Sequence, residues 1–475
     1  MIGFFMVLMM QLLILSFLLC VTPWGDAKSP GPAASPNFCN ARVSSTSSQK
    51  KAADVYLQII TVKTQAHLDQ VLALLSLGQN FSALAQNHST HLSAGNGGIW
   101  GPVRLDELPD SVRAQVEKAE QEAVVNFFEP ALGYTILRKL NADLARKLVF
   151  EQTLNRGVRH LQLKEKDLAL RELKKAVALD PQSAAAHEFL GQAYMMQDTY
   201  EMRSEAKAEF VQAIAINPAS VWPRFYLSWI YLDLGQSEKA VEQLEAALKI
   251  RPNVPQLLSL LGEANRKLGN IELAIEQNQK ALEADLSFFP ARYYLALAYL
   301  DLEKEEDAVR ELEAALTSGY AAPEVCLTLG TVYVRRGKLD EAVTLYQKAL
   351  AADPARPEGH LRLAKAYRLK KRLDLALAEL ERAEPEAQGG LSMTYYQNLI
   401  TEISLERGLV YRETGAVTQA VEAFLKVLEL NPDHCQAHRQ LAEMLLMKRA
   451  RVRARRHAEK AKQLNCPAEP LSEKI

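Results

Sequence analysis

Five cysteines in 475 residues are too few and too scattered to frame a disulfide-stapled domain, and none forms a C-x-x-C zinc pair. Net charge is nearly absent, with 56 Lys+Arg against 57 Asp+Glu, so there is no whole-protein case for nucleic acid or an anionic surface. No G-x-x-x-x-G-K-S/T, G-x-G-x-x-G, H-E-x-x-H or G-x-S-x-G occurs. Phosphate-cradling loops, helical zinc sites and nucleophile elbows therefore lack support, and neither cofactor nor metal is expected. Disorder is excluded in turn: hydrophobic residues are 48% and charged residues 24%, an ordinary globular balance.

Charge is also missing from residues 2–22, a run just long enough to span a bilayer. Gly25, Asp26 and Ala27 follow it with small residues at the -3 and -1 positions of a cleavage site. The preferred reading is a cleaved secretory signal within residues 1–27, with an uncleaved anchor as the alternative. Phe17, Leu18 and Leu19 argue against a lipoprotein at Cys20. Each reading exports the rest of the chain, to a periplasmic, extracellular or membrane-anchored location. Any membrane contact is expected only through residues 2–22. Residues 28–52, rich in Pro, Ser, Ala and Lys, read as a flexible tether. The sequons at Asn80 and Asn87 matter only in a glycosylating pathway.

From about residue 150 a period appears. Small residues recur at Gly157, Gly191, Ser228, Gly262, Ala296, Gly330, Ala364, Gly408 and Ala442, separated by 34, 37, 34, 34, 34, 34, 44 and 34 residues. An alanine follows most of them by twelve residues and a tyrosine by three, and prolines such as Pro181, Pro218 and Pro354 close several units. Each unit reads as two helices, with the small residue where they cross and the proline ending the second. The pattern resembles the tetratricopeptide repeat (TPR), with nine units over residues 150–466 and a tail at 467–475. The spacings of 37 and 44 place insertions near residues 198–203 and 384–390.

That resemblance implies a protein-binding α-solenoid rather than a catalyst. Its groove would be lined by first-helix positions that the core does not use. Here these hold Trp222, Phe225 and Trp229, then Gln256, Ser259, Glu263 and Arg266, then Tyr293 and Leu297. Apolar or extended peptides are the expected partners, with packing against neighbouring helices as the alternative. The asparagine that chaperone-tail-binding TPR domains place after the small residue is replaced by Gln192, Trp229, Glu263, Leu297, Thr331 or Lys365. Residues 448–462 carry eight basic residues and one acidic, read first as a solvated capping helix and second as a dock for acidic protein or lipid. Cys435 and Cys466 flank that unit; two free thiols is the default, a staple between antiparallel helices the alternative. Oligomeric state is left open.

Residues 53–141 do not fit the repeat. A coarse reading gives a strand at 55–62, helices at 65–77, 81–87 and 109–119, and strands at 124–130 and 134–141, with a tight turn at Asn96, Gly97 and Gly98. The runs GQNFSALAQNHST, SAGNGGIWG, ELPDSV and FFEPALGYTILRKL resemble the parvulin (PpiC-type) peptidyl-prolyl isomerase family. The expected fold is therefore mainly α, a TPR superhelix preceded by a small α+β domain. The resemblance implies an apolar proline pocket over a polar network of two histidines and an Asp or Cys. Carried over, the network falls on Gln58, His91 and Thr135, which are expected to hydrogen-bond to one another, and the pocket on Trp100, Leu108 and Val112. Two functions follow: an exported folding factor with a divergent isomerase, or a non-catalytic scaffold whose domain binds peptides or caps the array.

Overall fold

The computed structural model describes residues 54–197, 199–317, 322–384, 393–464 and 466. The apolar run, the cleavage site, the tether, most of the second insertion and the tail lie outside the described residues. Among the described residues no helix is long and apolar enough to cross a membrane.

The N-terminal domain is a four-stranded antiparallel sheet of order β2-β1-β4-β3, from β1 (Asp54–Val62), β2 (Ile99–Arg104), β3 (Val124–Glu129) and β4 (Gly133–Leu140). Helices α1 (Gln65–Ser76), α2 (Phe81–His88) and α3 (Asp110–Lys118) accompany it. Asn80 caps α2 by accepting the Ala83 N–H at 3.2 Å. The sequence reading missed β2, taking the stretch as part of a Gly-rich loop; its interior Gly101 and Pro102 are tolerated because it is an edge strand. Two hydrophobic clusters cover the faces of the sheet. Ile60, Val62 and Ile136 pack against α1 and α2, while Leu57 and Leu137 pack against α3. Gly98 has φ +77°, and a Cβ there would lie 2.5 Å from the Ile59 carbonyl oxygen, so only glycine lets the loop cross β1 so closely.

The repeats follow as helix pairs. The first two are α4 (Ala142–Gln162) with α5 (Lys166–Leu179), and α6 (Ala184–Met195) with α7 (Tyr200–Ile216). Then come α8 (Trp222–Asp233) and α9 (Ser237–Ile250), α10 (Pro255–Lys267) and α11 (Ile271–Ala284), α12 (Phe289–Asp301) and α13 (Glu305–Thr317). The array continues with α14 (Pro323–Arg335) and α15 (Leu339–Ala352), then α16 (Pro357–Leu369) and α17 (Leu373–Arg382). It finishes with α18 (Met393–Thr414) and α19 (Val417–Leu430), then α20 (Cys435–Met447) and α21 (Arg451–Gln463).

The small residues lie where expected. A Cβ on Gly157, Gly330 or Gly408 would come within 2.7 Å of Leu173, Tyr346 or Phe424. Each obstructing side chain stands sixteen residues on, at one fixed point of the second helix. The first insertion lengthens α7 to 17 residues, against 14 in α9 and α11. The second differs from a plain loop: α17 is shortened to 10 residues and α18 extended to 22. Cys435 and Cys466 form a disulfide with Cα atoms 5.5 Å apart, which corrects the default of free thiols. The antiparallel packing of α20 and α21 brings the start of one to the end of the other. By contact the chain divides into two bodies, residues through Gln197 with 215–217, and the remainder.

Candidate functional site

Alternation places Leu57, Ile59 and Thr61 of β1 on one face of the sheet, with their register partners Trp100, Leu137 and Thr135. Helix α3 lies over that face. Leu108 and Val112, 2% and 0% exposed, form an apolar floor with Leu57 and Leu137, and the partly buried Trp100, Phe127 and Leu132 pack at its margin. The polar groups beside it are hydroxyls and one imidazole. Thr61 Oγ1 lies 2.9 Å from Thr90 Oγ1, and the buried Thr135 hydroxyl donates to the Gly133 carbonyl at 3.2 Å. The His91 ring stands 5.2 Å from that of Trp100. Its Nδ1 accepts the Ser93 N–H at 3.1 Å, which puts the proton of the neutral ring on Nε2. Burial lowers the His91 pKa, so at neutral pH the ring is an uncharged Nε2–H donor at the edge of an apolar pocket.

Gln58 does not join this group. It points to the opposite face, because neighbouring residues of a strand alternate, and so cannot meet Thr135. Its Nε2 donates to Ser82 Oγ at 2.8 Å and to the Gly97 carbonyl at 3.1 Å. Gln152 of α4 also donates to Ser82 Oγ, at 3.4 Å, and Arg156 of α4 donates to Asn96 Oδ1 at 2.7 Å. Gln58 therefore belongs to a polar seam between the sheet domain and the first repeat helix. Nor do His91 and Thr135 bond to each other: each closes a local contact. Thr61 and Thr90, which the sequence reading missed, stand on the pocket side. The signal for Thr61 was the strand period, once the register with Thr135 is known.

In the second body, first helices of successive repeats touch (α8 with α10, α10 with α12, α16 with α18). The aromatic groove candidates are mostly covered. Phe225, Trp229 and Tyr293 are 1%, 4% and 9% exposed, while Trp222 and Leu297 stay partly open. Phe225 lies 5.9 Å from Trp222, edge on. The indole N–H of Trp229 and the hydroxyl of Ser259 are buried without a protein partner among the described residues. Further along, the groove charges pair internally. Arg266 bridges Glu263 and Asp301, both at 2.7 Å; Arg368 bridges Glu406 at 2.8 Å and Glu413 at 3.0 Å; Lys365 meets Glu402 at 2.9 Å.

In the first body, Glu188 of α6 has no cationic partner among the described residues; its Oε1 accepts from Gln192 Nε2 at 3.3 Å. Burial pushes its pKa up to about 7. The folded state then holds a proton that the unfolded chain releases above the ordinary carboxyl range, so stability falls as pH rises from about 4.5 to 7. We expect Glu188→Gln to melt higher than the natural chain at pH 8 and at the same temperature at pH 4.5. Equal melting at pH 8 would contradict this assignment.

Residues 49–141 match the family model of the PPIC-type PPIASE domain (rotamase). Residues 154–202 and 327–390, 203–264, and 401–434 match three tetratricopeptide repeat models. The chain carries a PPIC-type rotamase domain followed by tetratricopeptide repeats. The rotamase domain thus holds the pocket, and the TPR array holds the aromatic and ion-paired groove. TPR arrays bind proteins, and the chain is a protein-binding scaffold with a parvulin-like domain. Among curated proteins it is 30% identical over 119 residues to chaperone SurA of Photobacterium profundum, covering 24% of this chain and 27% of that one. It is 30% identical over 120 residues to superkiller complex protein 3 of Mus musculus, covering 25% and 8%. The matches thus span under a third of either relative. The crystal structure of the APC/C hetero-tetramer Cut9-Hcn1 superposes with a TM-score of 0.50 at 16% identity, over 70% of this chain and 63% of that one, which supports the solenoid fold alone.

Proposed function

We propose that the protein is an exported folding or assembly factor whose rotamase domain binds proline-containing segments and accelerates X-Pro isomerisation, while the TPR array holds the client. The gathering of His91, Thr135, Trp100, Leu108 and Val112 on one sheet face carries this reading. Isomerisation needs neither nucleophile nor metal. It needs a desolvated site that favours the twisted imide across a barrier of about 18–20 kcal/mol. The apolar floor desolvates the proline ring, and the His91 Nε2–H is a neutral donor for a peptide carbonyl or the imide nitrogen. Export is supported by the uncharged run at 2–22 and by the Cys435–Cys466 disulfide, a bond that persists in oxidising compartments. The partial likeness to a chaperone fits the same role.

The test is exchange NMR on a panel of X-Pro peptides with the full chain. Trp100→Ala, at a partly exposed position, should cut the acceleration about tenfold or more, as expected for losing one large apolar contact worth roughly 1–3 kcal/mol. Gln58→His should leave the rate unchanged, since that side chain faces α2. No acceleration by the natural chain would sink the isomerase reading. A second reading, a peptide clamp without catalysis, is favoured by one observation: hydroxyls rather than histidines stand at Thr135 and along β1. Peptide-induced shifts without exchange enhancement would select it.

A further inference from the structure

The last repeat repeats a side-chain set found in the seventh, with one member changed. In the seventh, His360 stands four residues before the small residue Ala364, and Glu379 and Arg382 stand fifteen and eighteen after it. His360 Nε2 donates to the Pro354 carbonyl at 2.9 Å, and its Nδ1 lies 2.6 Å from Glu379 Oε2. Glu379 also receives Arg382 at 2.7 Å and is 8% exposed. The carboxylate thus balances an imidazole and a guanidinium at one point between the paired helices.

In the last repeat the corresponding residues are His438, His457 and Lys460. His438 Nε2 donates to the Pro432 carbonyl at 2.9 Å, as His360 does to Pro354. The neutral ring then accepts at Nδ1, and the atom there is His457 Nδ1, at 2.9 Å. An imidazole stands where the seventh repeat has a carboxylate. Around it, Arg453 and Arg456 have no acidic partner among the described residues, Lys460 meets Asp433 at 2.9 Å, and Glu459 is taken by Arg455 at 3.1 Å. Burial, His438, Arg456 and Arg453 all lower the His457 pKa, as an uncompensated positive field does. The two histidines, Arg453, Arg456, Glu459, Lys460 and Gln463 line an open cleft of about 510 Å³.

We propose that this cleft is a second partner-binding site, for an extended acidic segment of another protein whose carboxylates supply, from the open side of the cleft, the negative charge that Glu379 supplies in the seventh repeat. Arg453, Arg456, Lys460 and Gln463 follow a spacing of three, four and three, so they form one stripe about 15 Å long on α21. Such a stripe matches about five residues of extended chain, in which alternate side chains face the same way. A single phosphate would engage only part of it. The site does not rest on the isomerase reading.

The probe is a fluorescein-labelled pentapeptide with glutamate at alternate positions, titrated into the full chain by anisotropy at low salt. We expect binding that weakens steeply with ionic strength. His457→Glu should supply the missing negative charge from within, weaken the peptide about tenfold or more, and leave melting unchanged or raised. Arg453→Gln with Arg456→Gln, at exposed positions that cannot unfold the repeat, should weaken it comparably. Arg455→Gln, outside the cleft, should change binding less than twofold. Equal loss with Arg455→Gln, or no loss with the other variants, would overturn the site. So would phosphatidylglycerol vesicles that depend on Arg453 and Arg456 while the peptide does not, since the cleft would then read lipid.

Discussion

Arg356→Ala should lower the stability of the repeats around it by about 3–5 kcal/mol. Arg356 precedes α16 and donates from Nη2 to Glu324 Oε1 of α14 at 2.9 Å, with both side chains under a tenth exposed. Removing the guanidinium leaves a largely buried carboxylate without its partner, and that uncompensated charge sets the size of the loss. The double variant Arg356→Met with Glu324→Leu removes both charges and should recover most of it, to within about 1–2 kcal/mol of the natural chain. Denaturant midpoints of the two single variants and the double variant test this. A double variant as damaged as Arg356→Ala would show that shape, not charge, holds the site.

Cys435→Ser should loosen the last repeat by about 3–4 kcal/mol. The bond closes a loop with a sequence separation of 31 residues, and opening it restores that much chain entropy to the unfolded state. Contacts in a solenoid run between neighbours, so the loss should be local to α20 and α21 rather than global. Hydrogen exchange resolved by segment is the measurement: faster exchange in 435–463 and unchanged exchange in 255–352 is the expected result. Uniform acceleration throughout the second body would contradict local coupling. The acidic probe peptide should also bind more weakly to this variant, because the cleft is built from the same two helices.

Much of the array was legible because its cause is local and periodic. Gly157, Gly330 and Gly408 mark helix crossings in sequence for the same reason they mark them in space: a Cβ there meets Leu173, Tyr346 or Phe424. The domain's order of strands and helices was legible too, except β2, where Gly101 and Pro102 hid an edge strand. Long-range geometry was not. Gln58 was expected beside Thr135 because both match polar positions of one family, yet strand parity sends them to opposite faces. For Trp229 and Phe225 the sequence left groove anchoring and packing both open, and both side chains are buried.

The sequence by itself determined the repeat period and the helix pairing, since both follow from residue type at a fixed spacing, while the rotamase-type domain and its apolar pocket came through resemblance to a family. Only the tertiary structure decided which polar groups share a face, which groove aromatics remain open, that Cys435 meets Cys466, and that His457 stands where the seventh repeat holds a carboxylate. Those outcomes depend on strand register and on how one helix covers the next, and a difference of one residue reverses a side chain's direction.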